Sequence, residues 1–538
     1  MERINREMEE RAPALFSRLP VDVMRHGIES FLPDGRVWEL ARRVEQGGNV
    51  LQHIVQIYLG LDLPTVLLHD QDDPDGHDGL DLTRTHYVWC HDSARTTALV
   101  RQLGIRSLVV VGTLRGELPG DGFLSECPQL EDVTFLLPWC THIGENWLSN
   151  CSRLTRPTFS GLTSLVSVGD NWLYSCPRLA RPTFSGLPSL TRVGDHWLST
   201  CPDLTGPTFS GLTSLVSVGD NWMFHCAALV DPTFQGLPSL RCVGNSWMSD
   251  CERLAHPSFG ALVRLAQVGH SWMTHCHTLV TVNFGRLVSL TQVGDYWMAF
   301  CWSMVDPNFE GLTSLVHVGT QWMCGCDDLS APNFRGLTSL VQVQSGWMAT
   351  CRTLATPDFA GLSSLVQVGS AWMQDCHCLV NPNFGGLTSL AQVGDTWMAH
   401  CSVLATPDFA GLSSLVRVGN AWMRDCHRLV RPNFGGLPNL AQVGDNWMSH
   451  CWSMVNPNFE KLTSLFRVDH SWMYACSRLV DPTFEGRTSL THIGPDWMSR
   501  CERLAHPNIV PQGSHGTVWP SSNSKRRFLR TRTPYPVP

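Results

Sequence analysis

A chain of 538 residues has room for three or four ordinary domains, but only 16% of its residues are charged and its formal net charge is −8. Neutralising phosphates takes clustered lysine and arginine, so this sparse, acidic composition excludes a nucleic-acid-binding body. No run of 18 apolar residues is present to span a bilayer, and the opening MERINREMEERAPALFSRLP has no apolar h-region of a secretory signal. A cytoplasmic protein is expected, with its 21 cysteines as free thiols in a reducing compartment.

Residues 1–122 do not repeat, and they are expected to form a small, mainly helical N-terminal region and cap. Within it, LPVDVMRHGIESFLPDGRVWELARRV (19–44) places Leu19-Pro20, Asp22, Val23, Ile28, Phe31, Leu32-Pro33, Val37 and Leu40 in the order of an F-box, which the segment resembles. That resemblance implies a Skp-type adaptor held through Leu19, Pro20, Leu32 and Pro33. The same spacing also fits an ordinary amphipathic helix pair. Further on, VLQHIVQIYLGLDLPTVLL carries His53, Gln56, Asp62 and Pro64, which suits a buried core segment. The acidic DQDDPDGHDGLD (70–81) reads as a solvated loop, because Pro74 and Gly76 stand where calcium ligands should alternate.

From residue 123 to 511 one pattern takes over. Trp recurs every 25 residues from Trp147 to Trp497, and Cys recurs in step from Cys151 to Cys501. Aligned on cysteine, the unit is CxxLxxPxFxGLxSLxxVGxxWMxxC. One shorter unit, from Cys127 to Cys151, precedes the regular run, and a stub follows it. Arg487 in a Leu place and Ile509 in a Phe place mark the end of the stack. A unit of this length cannot bury its apolar positions alone, so each must form one coil packed on the next. The expected fold is a repeat solenoid, a right-handed coil with one long parallel β-sheet of short strands.

The strand is expected at Pro-x-Phe. Pro would begin it, and the small polar residue between Pro and Phe would face outward. LxSLxxVG would form a short 3₁₀ or extended stretch opposite, WMxxC would turn the corner, and Cys would pack as a small hydrophobe. The segment VGxxWMxxCxxL, as in Val168, Gly169, Trp172, Leu173, Cys176 and Leu179, resembles the IGxxAFxxCxxL signature of BspA-like leucine-rich repeats. The unit is longer than that family's common length and carries Trp-Met for its Ala-Phe. A looser likeness links Leu154, Pro157, Phe159 and Leu162 to the cysteine-containing leucine-rich repeats of ubiquitin-ligase adaptors.

Catalytic motifs are missing: there is no phosphate loop, HExxH, GxSxG or paired carboxylate, so neither an enzyme nor a cofactor is expected. Histidines beside the cysteine column, as in His275-Cys276-His277 and Asp425-Cys426-His427, follow no metal-ligand spacing, and no metal is expected either. The tail 512–538 carries Lys525, Arg526, Arg527, Arg530 and Arg532 without an acid. It is read as a disordered basic tail and a candidate nuclear address.

Function is then expected on exposed columns, as a non-enzymatic protein-protein interaction scaffold whose partners are other proteins, with no nucleic acid and no membrane. The candidate contacts are Thr158, Thr183, Asn308, Asn333, Asp358, Asn383, Asp408 and Asn433 between Pro and Phe. Beside them stand Arg156, Arg181, Asp231, Asp306 and Arg431. A ubiquitin-ligase substrate adaptor is the alternative, and a surface adhesin a third reading. Residues 351–375 and 401–425 share 20 of 25 identities, so units have been copied together with their surfaces.

Overall fold

A proline at the head of nearly every Pro-x-Phe segment removes one backbone donor per coil, and the long parallel sheet forms elsewhere. The structure is a computed structural model, and it describes residues 67–69, 85–90, 92–111, 119–483 and 490–504. The chain divides into two compact units, 1–219 and 220–538. The F-box-like segment with Leu19, Pro20, Leu32 and Pro33, the acidic stretch, Arg487, Ile509 and the basic tail lie outside the described residues.

The fold is a parallel β-solenoid with very little helix. The long parallel sheet is built of two-residue strands, four described in the first unit and eleven in the second, and each ends on the Val or Ile just ahead of the glycine column, at positions that are never proline. In the first unit they are His142–Ile143, Ser167–Val168, Arg192–Val193 and Ser217–Val218; in the second they run from Cys242–Val243 to His492–Ile493. The register is that of the repeat, with Gln267 opposite Gln292 and Val268 opposite Val293. Valine points inward and its neighbour outward, the alternation of a half-buried strand.

The expectation that the long sheet runs through Pro-x-Phe is therefore corrected. That segment holds mostly single bridges, such as Asn283 to Asn308 and Asp358 to Asn383. Proline can accept but not donate there: the Asn383 N–H donates to Pro357 O at 2.9 Å, and the Asn433 N–H to Pro407 O at 3.0 Å. The segment LxSLxxVG, expected as 3₁₀ or extended, supplies the sheet.

Ahead of the array, the described residues depart from a mainly helical cap. They form β1 (Leu67–His69), β2 (Thr85–Trp89), helix α1 (Ser93–Leu103) and β3 (Ser107–Val111), and β3 pairs in parallel with β4 (Asp132–Leu136). The next strand of this five-stranded sheet is Arg156–Thr158. Asp92 caps α1 by accepting the N–H groups of Ala94 and Arg95, and Gly104 at φ 65 ends it. The β-branched run in SLVVV is strand sequence. It pairs in register with the first cysteine-containing coil, Val110 opposite Phe135, so coiling begins before the Trp and Cys columns do.

Two interlocked aromatic ladders fill the interior. Trp322 stacks on Trp347 with ring centroids 5.2 Å apart and planes 3° apart, and Phe334 stacks on Phe359 at 5.5 Å and 3°. The columns meet edge to face, as in Phe334 against Trp347 at 5.2 Å and 73°. The first unit repeats this with Trp147, Trp172 and Phe159. Edge-to-face geometry sets the positive rim of one ring on the negative face of the other, worth about 0.5–1.5 kcal/mol per pair beyond burial.

The corner after Val-Gly is made by left-handed residues that are seldom glycine. Asn171, Leu173 and Ser175 have φ of 62°, 57° and 54°, and Ala371, Met373 and Asp375 repeat them at 61°, 54° and 57°. Such residues cost about 1–2 kcal/mol each. Hydrogen bonds to both neighbouring coils offset this: the N–H groups of Asn171 and Ser175 donate forward to Asp195 O and Ser199 O, and Leu173 N–H donates back to Trp147 O. With the backbone left-handed here, the Trp and the following Leu or Met are both buried, as Trp172 and Leu173 are.

Trp322 is fully buried, so Trp322→Ala should cost about 3–5 kcal/mol, the range for a large core ring cut to alanine. Loss should appear first in its own and adjoining coils. Hydrogen exchange over residues 297–351 checks this, and unchanged protection there would remove the Trp column from the core.

Candidate binding surface

The site residues expected from sequence stand on the Pro-x-Phe side of the coils. Thr183, Asn308, Asn333, Asn383, Asp408 and Asn433 are exposed between a buried Pro and a buried Phe, and Thr158 and Asp358 are half-buried. Arg156, Arg181, Asp231, Asp306 and Arg431 are exposed. Asn383 Nδ2 donates to Asp358 Oδ1 at 2.9 Å, and Asn433 Nδ2 to Asp408 Oδ1 at 3.0 Å. Arg156 forks onto Asp132 through Nε to Oδ1 at 2.7 Å and a second guanidinium nitrogen to Oδ2 at 2.8 Å.

Part of this column is structural. Asn308 Oδ1 accepts the Glu310 N–H at 2.8 Å, Asn333 Oδ1 the Arg335 N–H at 3.0 Å, and Asp408 Oδ1 the Ala410 N–H at 3.1 Å. These are Asx turns, which fold the chain into the next Gly-Leu. A second ladder follows the Val-Gly. Asp170 Oδ1 accepts the Asp195 N–H at 2.8 Å, Asn245 Oδ1 the His270 N–H at 2.8 Å, and Ser345 Oγ the Ser370 N–H at 3.1 Å. Asp, Asn, Ser and His alternate there because any acceptor serves.

Sequence reasoning missed one exposed feature. Trp302 and Trp452 lie outside the Trp column, each directly after a column cysteine in a Cys-Trp-Ser-Met segment, and each is 50% exposed. Trp302 stacks on His277 at 3.8 Å and 13°, and Trp452 on His427 at 4.1 Å and 7°. One face of each indole is thus covered by a histidine, and half of each residue's surface stays exposed. The signal was available: these are among the few Trp residues off the 25-residue phase, and both occur in the same tetrapeptide.

The cysteines do more than pack. Cys276 Sγ donates to Met248 O at 3.1 Å, and Cys426 Sγ to Met398 O at 3.1 Å, each thiol reaching the left-handed residue of the preceding coil. Cys201 Sγ does the same to Leu173 O at 3.2 Å. Burial pushes the Cys201, Cys301 and Cys426 thiols up to about 12 from 9.0. Among the described residues no group of three or more His, Cys, Asp and Glu could hold a metal ion. No described helix is long and apolar enough to cross a membrane.

The fold is similar to that of leucine-rich repeat proteins. A profile described as BspA type leucine rich repeat region matches residues 120–255 in six copies. Among solved structures, a leucine-rich repeat protein from Bacteroides ovatus is similar at 17% identity and TM-score 0.50, over 66% of this chain and 87% of that one. A leucine rich cell surface protein from Faecalibacterium prausnitzii follows at 16% identity, TM-score 0.31, over 62% and 83%. The pneumococcal vaccine antigen PcpA stands at 13%, 0.33, 68% and 79%. No curated protein matches the chain.

The raised thiols set an alkaline limit. A proton held more tightly in the folded state stabilises it below the unfolded thiol's pKa, and this contribution is lost as pH rises through the folded value. The array should therefore lose stability progressively between about pH 9 and pH 12. At pH 8, exposed Cys378 should alkylate well before Cys301 or Cys426, as mass spectrometry of tryptic peptides would show. Equal labelling of the three would put the column outside the core.

Proposed function

We propose that the chain is a non-enzymatic scaffold that binds other proteins through the exposed columns of its solenoid. The observation that carries this reading is the pair of half-exposed indoles, Trp302 and Trp452, each held rigid on a histidine. Trp is the residue type most often found as an interface anchor, because it offers large contact area for little loss of side-chain freedom. The exposed Arg181, Asp231, Asp306 and Arg431 supply polar contacts that vary from coil to coil. A repeated interior with variable exterior positions suits recognition over an extended surface; it offers no single pocket of unique residues for catalysis. The leucine-rich repeat likeness supports the same reading.

The test is capture by full-length protein compared with Trp302→Ala/Trp452→Ala. Loss of an interface anchor costs about 2 kcal/mol or more, so partners of the parent chain should be depleted at least tenfold from the variant, with melting unchanged. An identical set of captured proteins would overturn the reading.

The adaptor alternative rests on residues 19–44. If Leu19 and Pro20 dock a Skp-type protein, the full chain should co-purify it, and Leu19→Ala/Pro20→Ala should abolish that without shifting the melting of the array. Failure to co-purify any such protein would leave the plain scaffold. A surface protein, the third reading, shares the scaffold's chemistry and differs only in where the chain is delivered.

A further inference from the structure

In the second unit the long sheet carries an open trough of about 530 Å³, lined across five successive coils from Cys242 to Gln344. Its walls are the outward residues of the two-residue strands, Gln267, Gln292, His317 and Gln342. Its floor is the backbone of Gly269, Gly294 and Gly319. Glycine is required there by close approach: a Cβ on Gly294 would lie 2.7 Å from Gly269 C and from His270 N. The bare floor ends at Gln344, where an exposed side chain occupies the glycine column.

We infer that this trough binds a neutral oligosaccharide laid along the solenoid axis. Charge argues first. The lining contains no lysine, arginine, aspartate or glutamate, and of its two histidines, His270 and His317, the first already faces Asp295 at 3.1 Å, so a charged ligand would find little counter-charge there. Hydrogen-bonding chemistry argues next. Each glutamine offers an acceptor oxygen and two N–H donors on one flexible arm, and a hydroxyl is both donor and acceptor. A row of such amides therefore matches a row of hydroxyls in either sense.

Pitch separates a sugar from a peptide. Rungs of a parallel sheet repeat about every 4.8 Å, whereas the same-side groups of an extended peptide repeat about every 6.7 Å. A peptide along the trough slips by about 2 Å at each coil and cannot satisfy successive glutamines. A sugar ring bears hydroxyls on neighbouring carbons, so an oligosaccharide presents a partner at each rung. Five coils span about 19 Å between the first and last rung, a length for several sugar rings.

The test uses the full chain with four neutral hexasaccharides, a linear β-1,4-glucan, β-1,3-glucan, α-1,4-glucan and β-1,4-mannan, followed by saturation-transfer NMR and calorimetry. At least one should bind. Gln292→Ala/Gln342→Ala should weaken it about tenfold, the equivalent of about 1.4 kcal/mol for two lost hydrogen bonds, with unchanged melting because both side chains lie outside the core. Trp302→Ala/Trp452→Ala should leave sugar binding intact, which keeps this site separate from the protein-binding reading. The inference falls if none of the four binds or if the glutamine pair leaves binding unchanged. It falls equally if a neutral Gly-Ser peptide binds instead and is lost in the glutamine variant.

Discussion

Inside the array a Phe ring lies among four others: Phe334 is 5.6 Å from Phe309, 5.5 Å from Phe359, 5.6 Å from Trp322 and 5.2 Å from Trp347. This interlock fixes which side chains of each coil must meet, since close-packed interiors tolerate neither a clash nor a gap. The coil from Cys127 to Cys151 has one residue fewer between Phe135 and Trp147 and still keeps the edge-to-face contact, at 5.1 Å and 67°, so the segment between the rings takes up the difference. The repeated offsets of Phe and Trp are thus the sequence record of a ring contact, and the sheet, the corners and the exposed columns are arranged around it.

The backbone adapts to the rings. To bring Trp and the following Leu or Met inward together, the chain adopts left-handed conformations at three positions per coil, and inter-coil hydrogen bonds hold them. The column cysteine completes the corner by donating to the carbonyl of the left-handed residue one coil back. A small apolar side chain with a weak donor fits there. Serine would match the donor but would bring a more polar hydroxyl into a dry corner. The corner, often the least determined part of a coil, is here the most uniformly bonded.

Several of these features were legible in the sequence, and the reason others were not is physical. Period, inward residues and solenoid class follow from Leu, Phe, Trp and Val at fixed offsets, because burial is periodic. The outward direction of Asn308 and Asn433 follows from alternation between a buried Pro and a buried Phe. The position of the long sheet does not: both halves of the unit alternate, and the deciding term is the missing proline donor, a small cost multiplied by every coil. The left-handed corners were invisible because their usual marker, glycine, is mostly absent, as at Ala371 and Met373. The strand–helix–strand coil ahead of Cys127 was hidden because its Trp89 and Cys90 are adjacent in the chain, not four residues apart as in the array, although SLVVV and the Asp92 cap were in plain view. Trp302 and Trp452 could have been found by asking which Trp residues fall off the period.

Because the rings and corners consume the inward positions, the outward ones are free to vary without loss of fold, and that freedom divides the surface into two kinds of column. In the ladder after Val-Gly, from Asp170 to His470, every side chain can accept a hydrogen bond, and variation there stays among Asp, Asn, Ser, Thr and His. In the position after the column cysteine no such demand exists, and residues as different as Pro177, Arg352, His377 and Trp452 occupy it. Two Trp residues six coils apart in such an unconstrained column stand about 29 Å from one another along the axis. A partner with one complementary pocket would use either; a partner with two at that spacing would bind both, the second contact being intramolecular and favoured by the effective concentration the rigid ladder imposes. Duplication of coils, which lengthens the array without a new folding problem, thereby also sets the spacing of its exposed side chains in whole rungs.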